Sequence, residues 1–155
     1  MPRPEDLDPI PKAPLWLGTA GLFPFVALVS ALWALSEAYA QPLLFWLTAY
    51  GAIVLSFIGA LHWGFAMLHP AMTEQDRSVF MTWSVIPALV GWVCMLVPVK
   101  TALLLLIASF AIQYAADRQF VQRFPLPSWY LRLRGGLTAI VVLCLLLAFA
   151  RLAHL

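Results

Sequence analysis

Apolar runs of about twenty residues, separated by short polar segments, divide the 155-residue chain. A run that long, at 1.5 Å rise per residue, is what a helix needs to cross hydrocarbon. The pattern predicts five spans: Leu15–Leu35, Pro42–Leu68, Val79–Val97, Thr101–Ala116 and Gly136–Leu152. The second is long enough to tilt. The fourth is short and is expected to continue as helix into the interface. A β-barrel would alternate apolar and polar positions over about ten residues. The stretch Thr101–Ala111 shows no alternation, so helices are the reading. Pro125 and Pro127 break the helix between the last two spans, in an arginine-rich segment, 118–134, expected partly at the interface.

Composition excludes the soluble alternative. The chain is 63% hydrophobic and 10% charged, with a mean hydropathy of +0.90. A soluble domain carries about 25% charged residues, and too little polar surface remains here to cover five apolar helices. The fold class is therefore all-α, a polytopic membrane bundle of five transmembrane helices over residues 14–155. Residues 1–13 form a proline-rich tail, expected to be extended. No basic segment leads directly into a short apolar run, so the first span is read as an uncleaved signal anchor.

Charge sets the expected orientation. With the N-terminus cytoplasmic, Arg3, Lys12, Arg77, Arg118, Arg123, Arg132 and Arg134 lie inside, and Lys100 and Arg151 lie outside. Seven against two follows the positive-inside rule and places the C-terminus externally. Tryptophans near span ends (Trp16, Trp46, Trp129) fit an interfacial aromatic belt. The net charge of +2 points to anionic membrane lipids as partners, not to nucleic acid.

Polar residues inside spans are expensive and mark candidate sites. Placed by helical rise, His62, Trp83, Gln113, Tyr114 and Asp117 fall in the cytoplasmic half, as do Gly18, Thr19, Gly21 and the two proline kinks, Pro24 and Pro87. Gln113 and Asp117 are four apart and share a helix face. Asp117 requires a positive partner, and Arg132 or Arg134 can supply it. Two readings stand: a salt bridge pinning the loop to the bundle, or an acid in a ligand pocket or proton path. His62 is either a hydrogen-bonded interhelical residue or a ligand contact or proton carrier. His62 and His69 sit about 10 Å apart along one helix, so they cannot be axial ligands to one haem. No metal motif is present, and the resident cofactor is unknown. Cys94 and Cys144 read as buried apolar cysteines. A stripe of small residues in the second span (Gly51, Ala52, Ser56, Gly59, Ala60, Gly64) reads as a helix-packing face.

Several stretches carry a family resemblance. Leu17-Gly18-Thr19-Ala20-Gly21-Leu22-Phe23-Pro24-Phe25 is one, and the run Tyr50 to Gly64, ending Ala60-Leu61-His62-Trp63-Gly64, is the most specific. Ser84-Val85-Ile86-Pro87, Asp117, Trp129-Tyr130-Leu131-Arg132-Leu133-Arg134 and Leu137-Thr138 complete the set. From Pro14 onward the chain resembles the domain of unknown function 3429 family, the transmembrane protein 69-like proteins. The resemblance implies an integral protein of a bacterial inner membrane with eukaryotic organellar relatives. It singles out His62, Trp63, Asp117, Trp129, Tyr130, Arg132 and Arg134, and it supplies no reaction.

Together these features give candidate ligand-binding residues His62, Trp63, Trp83, Gln113, Asp117, Trp129, Tyr130, Arg132 and Arg134, with the catalytic set unknown. The leading expectation is a non-enzymatic bundle holding a lipid, quinone or other apolar small-molecule ligand in its cytoplasmic half. The second is an accessory or assembly subunit of a larger membrane complex, with a membrane-protein partner. The third is a membrane enzyme using His62 and Asp117. It lacks a nucleophile motif, a metal cluster or a phosphate loop. A testable geometric expectation accompanies them: His62, Asp117 and Arg132 or Arg134 converge at one cavity.

Overall fold

A computed structural model describes residues 8–152 and 154. Among these residues there are five α-helices and no strands: α1 (Lys12–Ala34), α2 (Ala40–Leu68), α3 (Glu74–Cys94), α4 (Val99–Arg123) and α5 (Trp129–Leu152). All five are long and apolar enough to cross a membrane. A 3₁₀ turn, Glu37–Tyr39, leads into α2.

The five spans stand where the hydropathy places them, and the ends differ for identifiable reasons. α1 starts at Lys12, with Pro14 in its first turn, where a missing N–H loses nothing. α3 starts at Glu74, not Val79, because Thr73 and Asp76 form a reciprocal capping box. It stops at Cys94, not Val97, because Pro98 disfavours helix just before it. α4 runs to Arg123, two turns past the apolar run, as expected for an interfacial extension. α5 begins at Trp129 rather than Gly136, so Arg132 and Arg134 belong to a helix entering the bundle. Most of the tail expected over residues 1–13 lies outside the described residues.

Helices α1, α2, α4 and α5 form a four-membered ring, with α1 against α2 and α5, and α4 against α2 and α5. α3 packs outside the ring, chiefly on α2. The small residues explain that seam. A Cβ on Gly59 would lie 2.7 Å from Pro87, and one on Gly91 would lie 3.0 Å from the Ala52 carbonyl. Ala52, Ser56 and Gly59 therefore let α3 approach closely. Gly51 serves the other side of α2, admitting Leu106 of α4, while a Cβ on Gly64 would meet nothing within 4 Å and Ala60 is exposed. At the α2–α3 turn, Arg77 donates to the carbonyls of Ala66, Met67 and His69 at the end of α2.

One end of the bundle holds the start of α1, the end of α2, the start of α3, the end of α4 and the start of α5. It is called here the basal end. A large apolar core fills the opposite half, and a smaller aromatic cluster (Ala66, Met72, Phe120, Phe124) closes the basal end.

Candidate functional site

Two helical steps bring the site together. Gln113 and Asp117, one turn apart on α4, both face inward and are almost fully buried, at 1% exposure each. On α2, His62 meets them from across the bundle, and Gln113 Nε2 donates to His62 Nδ1 at 3.1 Å. With Nδ1 accepting, the ring proton sits on Nε2, which faces Asp117 Oδ1 at 3.5 Å, longer than an ordinary hydrogen bond. From α5, Arg134 Nε donates to Asp117 Oδ2 at 2.9 Å, and the Tyr130 hydroxyl donates to Oδ1 at 3.4 Å. The cluster thus ties three helices together, α4 to α2 through Gln113 and α4 to α5 through Asp117, whose charge Arg134 balances. Phe80 stacks on the His62 ring at 6.2 Å, while Phe65 and Phe120 meet it edge-on. This aromatic sleeve seals the imidazole.

Beside the cluster lies a cleft of about 790 Å³ among α1, α2 and α5, floored by Phe110 of α4. Its walls are apolar: Leu17, Leu22, Ile53, Phe57, Leu61 and Leu137 among them. Leu17, Ile53 and Phe57 are 61%, 65% and 67% exposed, so the cleft opens sideways, between α1 and α2, toward lipid. The Tyr50 hydroxyl donates to the Gly21 carbonyl at 2.9 Å and clasps the two helices at the cleft's deep end. Leu126, Pro127, Trp129 and Tyr130 form its basal end. Of the charged cluster only Tyr130 and Arg134 reach it. His62, Gln113 and Asp117 do not line it.

The remaining sequence-derived candidates fall elsewhere. Trp63, next to His62, points outward and is 45% exposed. Trp83 lines a separate groove of about 260 Å³ between α3 and α4, with its indole nitrogen buried and unbonded. Arg132 is exposed and donates to the Asp8 carbonyl, while Ser128 Oγ accepts from the Asp8 amide at 3.1 Å. Those bonds dock the described part of the tail beside Trp129. His62, Asp117 and Arg134 do come together, but not around a cavity as expected: His62 and Asp117 are sealed beside it, and Arg134 alone of the three lines it. Phe65, Phe80, Phe120 and Thr138 were absent from the expected set. Thr138 could have been found, because it stands one turn beyond Arg134 on the same face.

Among the described residues no three His, Cys, Asp or Glu side chains come together. The donor set at the cluster is one imidazole and one carboxylate already bonded to a guanidinium. Such an arrangement positions Arg134 and joins helices.

A family model described as "Protein of unknown function (DUF3429)" matches residues 10–150. The chain belongs to the DUF3429 family. It is 35% identical over 141 residues to transmembrane protein 69 of Xenopus tropicalis, covering 90% of this chain and 54% of that protein. To transmembrane protein 69 of Mus musculus it is 29% identical over 126 residues, covering 80% of this chain and 50% of that protein. The chain spans about half the length of these curated relatives. No solved structure matches this DUF3429 chain. The cluster and the cleft both lie inside the region that the family model matches.

Proposed function

We propose that this integral membrane protein is a non-enzymatic bundle that holds a lipid, quinone or other apolar ligand in the lateral cleft. The observation that carries the reading is the cleft itself: about 790 Å³ and lined mostly by apolar side chains, with Tyr130, Arg134 and Thr138 on the α5 wall and the Tyr50 hydroxyl, already bonded to Gly21, at the far end. That volume lies within the roughly 300–1,000 Å³ of small-molecule sites. The mouth between α1 and α2 suits a ligand arriving from the bilayer.

The basic residues gather at the basal end, which supports a cytoplasmic N-terminus and an external C-terminus. That charge pattern and the family resemblance support a bacterial inner membrane as the setting.

The test is native mass spectrometry of the protein gently released from its own membranes, alongside Gly21→Phe. A Cβ at Gly21 meets nothing nearer than Tyr50 Oη at 4.0 Å, so a larger side chain there enters the cleft. The expected result is a bound apolar molecule in the wild type that is lost in Gly21→Phe. A bare chain, or a ligand retained equally by the variant, would overturn the reading. A stable protein partner in place of the ligand would point to an accessory subunit.

A further inference from the structure

Two buried polar groups on residues lining the cleft have no partner among the described residues, and both are on α5. Arg134 spends Nε on Asp117, yet its Nη2 is buried and unbonded. Thr138 Oγ1 is buried and unbonded as well. Each residue is only 8% exposed, and each lines the cleft. They are four apart, so they stand one above the other along one helix face, about 6 Å in rise.

Four other helical hydroxyls, those of Thr19, Thr48, Ser56 and Ser84, make Thr138 informative, because each donates to a carbonyl of its own helix. Thr19, Thr48 and Ser56 all donate back to the carbonyl four residues earlier, at 2.8 Å. That is the ordinary way for a helical hydroxyl to avoid an unsatisfied state in lipid. Thr138 does not take it. A buried donor without an acceptor is costly, so two of them on residues that line one cavity call for an acceptor there.

Charge narrows the acceptor. Arg134 is already neutralised by Asp117 at 2.9 Å. An anionic headgroup would bring a second negative charge to one guanidinium in a low-dielectric site, with no further cation among the described residues that line the cleft. A neutral oxygen acceptor takes both donors and leaves the balance intact.

We infer that Arg134 Nη2 and Thr138 Oγ1 form a recognition site for a neutral carbonyl headgroup, whose apolar tail lies along the cleft toward Leu17 and Phe57. The inference rests on the cleft being a ligand site. Two sources share this chemistry: the ring carbonyls of a prenylated quinone, and the ester carbonyls of a glycerolipid.

The experiment uses the full chain in nanodiscs of diether phosphatidylcholine, which has no ester carbonyl. Decylubiquinone, decylbenzene and decanoate are titrated into it. Thr138→Val is the diagnostic variant, because it keeps the side chain's shape and breaks no bond seen in the structure. Circular dichroism and the unfolding midpoint confirm its fold. Decylubiquinone is expected to bind more tightly than decylbenzene, and Thr138→Val to weaken it about two- to tenfold, the loss of one hydrogen bond. Decylbenzene binding should not change. In quinone-free discs, a preference for diester over diether phosphatidylcholine that Thr138→Val abolishes would name the glycerolipid as the source. Without that preference, tight decylubiquinone binding names the quinone.

Equal binding of decylubiquinone and decylbenzene, with no ester preference, overturns the headgroup inference and leaves the cleft reading standing. Tighter binding of decanoate overturns the neutral headgroup. If no probe binds and Gly21→Phe changes nothing, the cleft reading falls as well.

Discussion

In the half of the bundle away from the basal end, the buried residues include Leu44, Leu47, Leu103, Leu106, Leu145 and Ala148, and among the described residues no ionised group is buried with them. In the basal half the buried groups include His62, Gln113, Asp117 and Arg134, with an open cleft beside them. Lipid tails are as apolar as leucine, so burying leucine against leucine gains little over leaving it in the bilayer. The first half must therefore hold by close fit and dispersion. The second can tolerate a void because directional bonds fix its helices. A ligand site is easier to keep where packing is not the main restraint.

The sharpest way to break that contrast is Asp117→Ala. It leaves Arg134 buried without its counterion and removes an acceptor from Tyr130 and Arg134. A loss of about 3–5 kcal/mol is expected, read as a fall in the unfolding midpoint in mixed micelles. Adding Arg134→Met should restore most of it, since a matched apolar pair carries no stranded charge. A single variant no weaker than the wild type would show that the cluster does not hold the basal half.

Much of this cluster was legible in the sequence. Gln113 and Asp117 at a spacing of four had to share a face, and depth alone set His62 at their level. The choice between Arg132 and Arg134 was not legible. Two residues apart on a helix is about 200°, so one must face in and the other out. Which one depends on where α5 starts. Hydropathy put the start at Gly136 because the segment 129–135 carries two arginines; the pull of a buried carboxylate draws Arg134 inside instead. Trp63 was misleading for a related reason: adjacency to His62 in sequence means a turn of about 100° away from it. A cavity in this half was expected from the kinks at Pro24 and Pro87, but its walls were not legible: His62, Gln113 and Asp117 were placed on it, and they lie sealed beside it.

A paired truncation sharpens the comparison at intermediate size. Leu106 is fully buried between α4 and the Gly51 face of α2. Leu106→Ala should cost about 2–3 kcal/mol, mostly in lost contacts around a new cavity. Leu61, half-buried, borders a void that already exists. Leu61→Ala should cost below about 1 kcal/mol in ligand-free protein, since few contacts vanish. Equal costs at the two positions would mean the cleft is filled by its own side chains in the membrane.

The smallest effect belongs to the other arginine–carboxylate pair. Arg151 on α5 lies 3.9 Å from Glu37, at the end of the bundle opposite Asp117. The residue types match the basal pair, but the Glu37 side chain is 67% exposed, against 1% for Asp117. Water competes for Glu37 there, while Arg151, 15% exposed, has only long contacts besides: the His154 carbonyl at 3.4 Å and the Trp33 ring at 5.8 Å. Exposed pairs of this kind contribute about 0–1 kcal/mol, so Glu37→Gln should leave the unfolding midpoint nearly unchanged and show little salt dependence. Placed beside Asp117→Ala, it separates two explanations of the basal cluster's strength. If both variants weaken the protein alike, ion pairing anywhere on α5 stabilises the bundle. If only Asp117→Ala does, what matters is burial, where removing one partner strands the other in a medium that cannot solvate it.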